Sequence, residues 1–308
     1  MPHKKIPLFS LIWSFYLALV LVACGGTSPT VPPTSANQIN RPTVPAKLDI
    51  SKLTLGDGKV STTTPQKGLI LVCRIVTGGG GAFRTGEWIQ ETTWDLTKKI
   101  TVSGEVSWSN AKIEITLEGA NRKIAGNALP KHPTGVFPIA RTDKAFEYDR
   151  NPNSIREQNL NYTLAANPGE ASRPGCVSLG TIGVALSGVA IFNGLDAENR
   201  DAVAHELQDK CGGHPERNGT YHYHGHSSCF TGSNEGLVGY ILDGFGIFNY
   251  MENGKEITNA DLDECHGHKH RLNWDGKPTE IYHYHLTREY PYTIGCYKGT
   301  VNLRPPRP

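Results

Sequence analysis

The tetrapeptide Tyr-His-Tyr-His occurs twice in this chain, at 221–224 and 282–285, and sets imidazoles at alternate positions. Alternate residues of a β-strand share a face, so His222 and His224 point one way and Tyr221 and Tyr223 the other. His283 and His285 stand in the same relation to Tyr282 and Tyr284, and His226 extends the first row. Cys265-His266-Gly267-His268-Lys269-His270 offers a third alternating row. Two imidazole nitrogens from one rigid strand suit zinc or copper. His214 in Cys-Gly-Gly-His and His268 in Cys-His-Gly-His would each complete a three-nitrogen set. Asp209 and Asp263, two residues before those cysteines, are candidate ligands or acceptors that hold a ring tautomer. His266 and His270 have no counterpart beside the first motif and rank below His268, and His205 reads as a local hydrogen-bonding residue. The opposing reading keeps all these histidines as hydrogen-bonded core residues or as a pH-dependent switch.

The elements that must carry these side chains also come in pairs. Gly-Val-Ala-Leu-Ser-Gly-Val-Ala-Ile-Phe-Asn ending at Asn193 matches Gly-Tyr-Ile-Leu-Asp-Gly-Phe-Gly-Ile-Phe-Asn ending at Asn249, and each unit closes on a cysteine, Cys229 or Cys296. The chain thus reads as an internal tandem duplication, with repeats over 183–229 and 239–296. Ser187-Gly188 and Asp243-Gly244 mark tight hairpins whose central residues take positive φ. The uncharged stretch 176–195 is long enough to suggest a membrane span, but its glycines and polar residues make it a buried hairpin. Upstream, 48–124 is β in pattern: an apolar run over 68–76, then alternation from Ile100 through Trp108 and from Ile113 to Leu117, with a turn at Ser109-Asn110. Residues 196–209 form the best helix candidate, N-capped by Asp196. The expected fold is mainly β, a β-rich α+β domain with one or two short helices, stapled by disulfides. A β region over 48–125 precedes the duplicated domain over 126–303.

Six cysteines remain once Cys24 is set aside: Cys73, Cys176, Cys211, Cys229, Cys265 and Cys296. In an oxidising compartment they form three disulfides. The duplication gives each unit its own pair, Cys211–Cys229 and Cys265–Cys296, and leaves Cys73–Cys176. Thiolate ligation of a metal through Cys-x-x-His is the competing reading. At the N-terminus a basic segment, an uncharged apolar run and Leu-Val-Ala-Cys24 spell a lipoprotein signal peptide over 1–23, with lipid on Cys24. The Gly-, Ser-, Thr- and Pro-rich stretch 24–47 is then a flexible tether. These features place the protein outside the cytoplasm, anchored to the cell envelope, on the outer membrane if the host has one. A net charge of +2 with no basic stripe argues against a nucleic-acid partner and leaves a protein or glycan partner open.

The paired Tyr-His-Tyr-His motifs occur together with Leu-Asp-Gly-Phe-Gly-Ile, Asp-Glu-Cys-His-Gly-His and Tyr-Pro-Tyr-Thr-Ile-Gly-Cys. With His132-Pro-Thr-Gly-Val-Phe-Pro and Asp149-Arg-Asn-Pro-Asn-Ser, they resemble the YHYH-domain family of secreted and lipid-anchored proteins over roughly 108–299. That resemblance implies an extracytoplasmic place and important His motifs, with no substrate. The expected function is therefore binding of copper or zinc. A metal-dependent hydrolase or oxidase is one alternative, with Asp209, Asp263 or Glu264 as general base. A non-catalytic surface module with structural histidines is the other. Pro-Thr-Gly-Val-Phe-Pro is faintly similar to a strand of L,D-transpeptidases, but the nucleophilic cysteine setting of those enzymes is missing.

Overall fold

The computed structural model describes residues 47–76 and 78–301. The expected signal peptide, the lipidated Cys24 and the tether up to residue 46 lie outside the described residues. The centre of the fold is an eight-stranded sheet. Its strands in chain order are β1 (Thr181–Ala185), β2 (Ala190–Phe192), β3 (Gly213–Pro215), β4 (Tyr221–Tyr223), β5 (Leu237–Ile241), β6 (Gly246–Phe248), β7 (Gly267–Trp274) and β8 (Lys277–His285). They lie side by side as β3-β4-β2-β1-β5-β6-β8-β7. Read from either edge the order is the same: an outer hairpin, then a short hairpin, then the central β1–β5 seam.

Register repeats with topology. β2 runs parallel to β4 with Ile191 opposite Tyr223, and β6 runs parallel to β8 with Ile247 opposite Tyr284. His214 of β3 faces His222 of β4 across an antiparallel pair, as His268 of β7 faces His283 of β8. Both faces of the sheet are covered, so Ile182, Val184, Ile191, Ile241 and Ile247 are all fully buried, as a continuous apolar strand requires.

The expected hairpins are present, with one difference in their turns. Only Gly188 and Gly244 take positive φ, +89° and +97°, and Ser187 and Asp243 do not. Each turn closes through a bond from the glycine N–H to the carbonyl of Ala185 or Ile241. The residues before the glycines are therefore free to turn their side chains inward. Ser187 reaches the Tyr223 hydroxyl at 3.4 Å, and Asp243 accepts from the Tyr284 hydroxyl at 2.6 Å.

Two expected elements shorten. The helix read over 196–209 is a single turn, α1 (Ala202–His205), capped by Asp201, whose carboxylate accepts from the Ala204 N–H. The Asp196 carboxylate instead accepts from the N–H groups of Glu198 and Arg200, and Asn199 sits at φ 59°, so the chain upstream is held as a turn. The alternation over 100–108 makes only isolated bridges, Val102 to Asp209 and Val106 to Thr134, because loops rather than strands lie beside it. Ile113–Glu118 does form a strand, paired with Asn121–Gly126, which in turn pairs with Leu160–Ala165. All three disulfides form as expected: Cys73–Cys176, Cys211–Cys229 and Cys265–Cys296. None of these cysteines is left as a thiolate, so ligation through sulfur is excluded for them.

Candidate metal centres

Strand phasing brings His214, His222 and His224 into one buried cluster on one face of the sheet. Ring centroids lie 4.6 Å apart for His214 and His222, 4.7 Å for His222 and His224, and 5.4 Å for His214 and His224. The mirror position holds His268, His283 and His285, with centroid separations of 4.7 Å to 5.0 Å. His270, next along the β7 row, joins this second group at 4.6 Å from His283.

The hydrogen bonds fix which nitrogen faces inward. His222 Nδ1 meets the Thr220 carbonyl at 3.0 Å and His224 Nδ1 meets the Asn193 carbonyl. In the second cluster His283 Nδ1 meets the Ile281 carbonyl at 3.3 Å, and His285 Nδ1 meets the Asn249 carbonyl at 2.7 Å. A carbonyl only accepts, so each Nδ1 carries the proton and each neutral ring turns its Nε2 lone pair into the cluster. Yet His222 Nε2 and His224 Nε2 are 2.9 Å apart, and His268 Nε2 and His283 Nε2 are 3.1 Å apart. For His222 and His224 two lone pairs at that distance repel unless a cation lies between them, whereas His268, whose Nδ1 meets no carbonyl, can donate its Nε2–H to His283. Such separations match two adjacent ligands of one ion with bonds of about 2.1 Å. His214 adds a sharper sign: it is buried, and neither ring nitrogen has a hydrogen-bond partner.

A carboxylate lies beside each group, and neither was legible in the motifs; Glu252 falls within reach of one ion together with His268, His270 and His283, whereas Glu206 joins no such set. Glu206 Oε2 lies 3.6 Å from His214 Nε2 and 3.5 Å from His224 Nε2. Glu252 Oε1 lies 3.2 Å to 3.6 Å from the Nε2 atoms of His268, His270, His283 and His285. Glu206 sits just past α1 in the long β2–β3 connection. Glu252 sits on a two-residue strand, Met251–Glu252, directly after β6. The two connections are of nearly equal length, 20 and 18 residues, but Glu206 comes 14 residues after β2 and Glu252 only four after β6, so the glutamates share no sequence offset.

Asp209 and Asp263 stand elsewhere than expected. Asp209 accepts from the Tyr221 hydroxyl at 2.9 Å and from the N–H groups of Gly135, Cys211 and Gly213. Asp263 accepts from the Tyr282 hydroxyl at 2.8 Å, the N–H groups of Cys265 and Gly267, and Lys298 Nζ at 3.0 Å. Both are correctors of the tyrosine face rather than metal ligands or acceptors for an imidazole. The glycines before His214 and His268 make room for this: a Cβ on Gly213 would fall 2.3 Å from the Tyr221 ring, and one on Gly267 would fall 2.4 Å from the Tyr282 hydroxyl. Glu264 joins neither group of donors.

The remaining histidines also leave the clusters. His226 does not continue the row: its Nδ1 meets Asn249 Oδ1 at 3.0 Å and its ring packs on Tyr250. His266 lies outside β7 at φ 73° and meets the Thr293 carbonyl and Asn259 Oδ1. His205 meets Asp57 at 3.0 Å, a partner far off in sequence rather than a local one. His132 lies beside Cys211 and Cys229, but their sulfurs are bonded to each other and the His132 Nε2 meets the Tyr223 hydroxyl.

Electrostatics separates the two clusters. In the first, burial and neighbouring imidazoles push His214 and His222 well below the usual histidine range, and burial holds His224 at about 4. Burial, helped by Asp196 and Asp149, pushes Glu206 well above the usual carboxylate range. In the second, burial and His285 push His268 down and hold His283 at about 3. Burial also opposes ionisation of Glu252, but once the facing rings are protonated, His285, with His268 and His270, outweighs it and holds the carboxyl at about 2. Neutral imidazoles are the form that binds a metal.

Fold and site together define a mainly β, disulfide-stapled protein with two groups of side chains that could hold a metal ion, one of three histidines and one of three histidines with Glu252. Residues 161–255 match the family described as YHYH protein, the family whose motifs the chain resembles. The match takes in the first cluster with Glu206 and Glu252, and it ends before the second Tyr-His-Tyr-His. No curated protein and no solved structure matches the chain.

Proposed function

We propose that this protein is a cell-envelope lipoprotein that binds copper or zinc, one ion in each histidine cluster. The reading rests on one observation above all: the Nε2 lone pairs of His222 and His224 confront one another at 2.9 Å while both opposite Nδ1 atoms are spent on carbonyls. Three imidazoles with one carboxylate suit Zn(II) and Cu(II), and copper is the tighter binder of nitrogen sets in the Irving–Williams order. Three disulfides fit an oxidising compartment, and the lipobox-like Leu-Val-Ala-Cys24 supplies the membrane anchor. A metal-dependent hydrolase or oxidase is the second reading. It is favoured by Glu252, a carboxylate beside the more open cluster, placed where a general base would work.

Elemental analysis of the full-length protein, prepared without chelators and reconstituted with zinc or copper, tests this. Two equivalents are expected, both lost in the His222→Ala/His224→Ala/His283→Ala/His285→Ala variant if circular dichroism shows it folded. A folded wild type that retains neither metal ends the proposal. Cys24→Ser is expected to move the protein from the membrane fraction to the soluble one.

A further inference from the structure

The two clusters differ in how their donors meet solvent. In the first, the side chains of His214 and His224 are 5 % exposed and Glu206 is 12 % exposed. Phe192 stacks on His222 with centroids 3.8 Å apart, closing that side. The β2–β3 connection lies over the rest, and it is itself pinned: Trp88 Nε1 donates to the Ala204 carbonyl, and Lys99 Nζ donates to the Val203 carbonyl and to Gln208. An ion there can leave only when this connection opens.

In the second cluster the donors form a graded series. His283 and His285 are 1 % exposed, Glu252 and His268 are 22 % and 24 %, and His270 is 37 %. β7, like β3, is an edge strand, so among the described residues no further strand is hydrogen-bonded beyond the His268–His270 row. Phe248 meets His283 edge-on at 5.0 Å instead of stacking on it. This group also has one donor more than the first. The residue one step past His214 on the same face is Glu216, and its carboxylate is spent on the N–H groups of Asn218 and Thr220. His270 Nε2 instead points to Glu252 at 3.2 Å.

We propose that the clusters divide their work: the first retains its ion, and the second is an exchange port in which His270 captures a divalent cation from solvent and passes it to His268, His283 and His285. Glu252 touches every donor in the series and accompanies the ion along it. The inference rests on the proposed metal-binding reading. The ligand class is a borderline-soft divalent cation, and the exposed position left by His270 after transfer takes water or a small anion.

The test is release kinetics from the full-length protein loaded with zinc, challenged with excess 4-(2-pyridylazo)resorcinol. Two phases of one equivalent each are expected, the fast one at least about tenfold faster, because the first cluster must open locally before release. His283→Ala/His285→Ala should abolish the fast phase alone. His270→Ala, which removes the most exposed donor, should slow the fast phase severalfold. Glu206→Gln should speed the slow phase and leave the fast one unchanged. A single phase of two equivalents, or a fast phase untouched by His270→Ala, would overturn the division of work while leaving metal binding in place. Zinc that never binds would instead overturn the metal-binding reading itself.

Discussion

The first cluster and the second stand on matching strands in matching register, yet one is sealed and the other meets solvent. What separates them is the segment joining the inner hairpin to the outer one. The long β2–β3 connection folds α1 and Glu206 down over His214, His222 and His224. The corresponding β6–β7 connection leaves directly into Met251–Glu252, and the Glu252 side chain stays 22 % exposed. The lesson is that paired strands fix donor geometry, whereas connections fix dielectric and access. Those in turn decide whether a carboxyl is held well above the usual carboxylate range, as Glu206 is, or driven down to about 2, as Glu252 is.

The largest expected effect follows from the buried neutral imidazoles. In metal-free protein their folded pKa values lie below the unfolded value, so the unfolded state binds more protons between pH 6.5 and about 4. Stability is then complete above the unfolded pKa and is lost as pH falls through that window. His224 alone, moved from 6.5 to about 4, accounts for about 3 kcal/mol. Urea midpoints measured from pH 7 to pH 4 should fall steeply. His224→Gln should flatten the curve more than His268→Gln, whose ring is only half-buried. Equal slopes for the two variants would break the contrast between the clusters.

The glutamates sharpen it further. Glu252 is a depressed carboxyl, so its contribution is present above pH 4.5 and lost as pH falls toward 2. Glu206 is a raised one, so its ionisation costs stability as pH rises. Without metal, Glu252→Gln should therefore lower the thermal midpoint at about pH 5, where a protonated ring can pair with that carboxylate, and Glu206→Gln should leave it level or raise it at neutral pH. With zinc present, each variant should lose about one to two orders of magnitude in affinity at its own cluster, read by calorimetric titration. A drop in metal-free stability from Glu206→Gln would show that its carboxylate is paired and charged after all.

The smallest effect lies on the opposite face. Tyr221→Phe and Tyr282→Phe each remove one hydroxyl donor from an aspartate, at a cost of about 1 kcal/mol. Tyr221→Phe should cost more, because Asp263 keeps Lys298 Nζ at 3.0 Å while Asp209 keeps only backbone donors. Chemical denaturation of the two variants side by side checks the order.

The cluster histidines were legible because a two-residue period leaves little choice: once 221–224 and 282–285 are strands, His222, His224, His283 and His285 share a face. His214 and His268 followed from the recurring Cys-x-x-His. The disulfide pairs followed from one pair in each unit. Glu206 and Glu252 were not legible, since each arrives through a connection whose path depends on tertiary packing. Asp209 and Asp263 read as ligands because they are close in sequence to Cys-x-x-His. Their carboxylates, however, are held by the turn's own N–H groups and by a tyrosine on the far face. The helix over 196–209 read well by propensity, but Asp196 and Asp201 spend their side chains on a turn and a cap five residues apart. Propensity ranks local states; it does not see Asp57, Trp88 or Lys99, which reach in from the N-terminal segment to fix this connection.

The most direct test of two histidine–carboxylate metal centres is anomalous diffraction from crystals of the zinc-loaded protein, recorded on either side of the zinc edge. The account predicts two peaks, one bounded by His214, His222, His224 and Glu206, the other by His268, His283, His285 and Glu252. Peaks confined to other surface residues, or none at either cluster in fully loaded crystals, would contradict it.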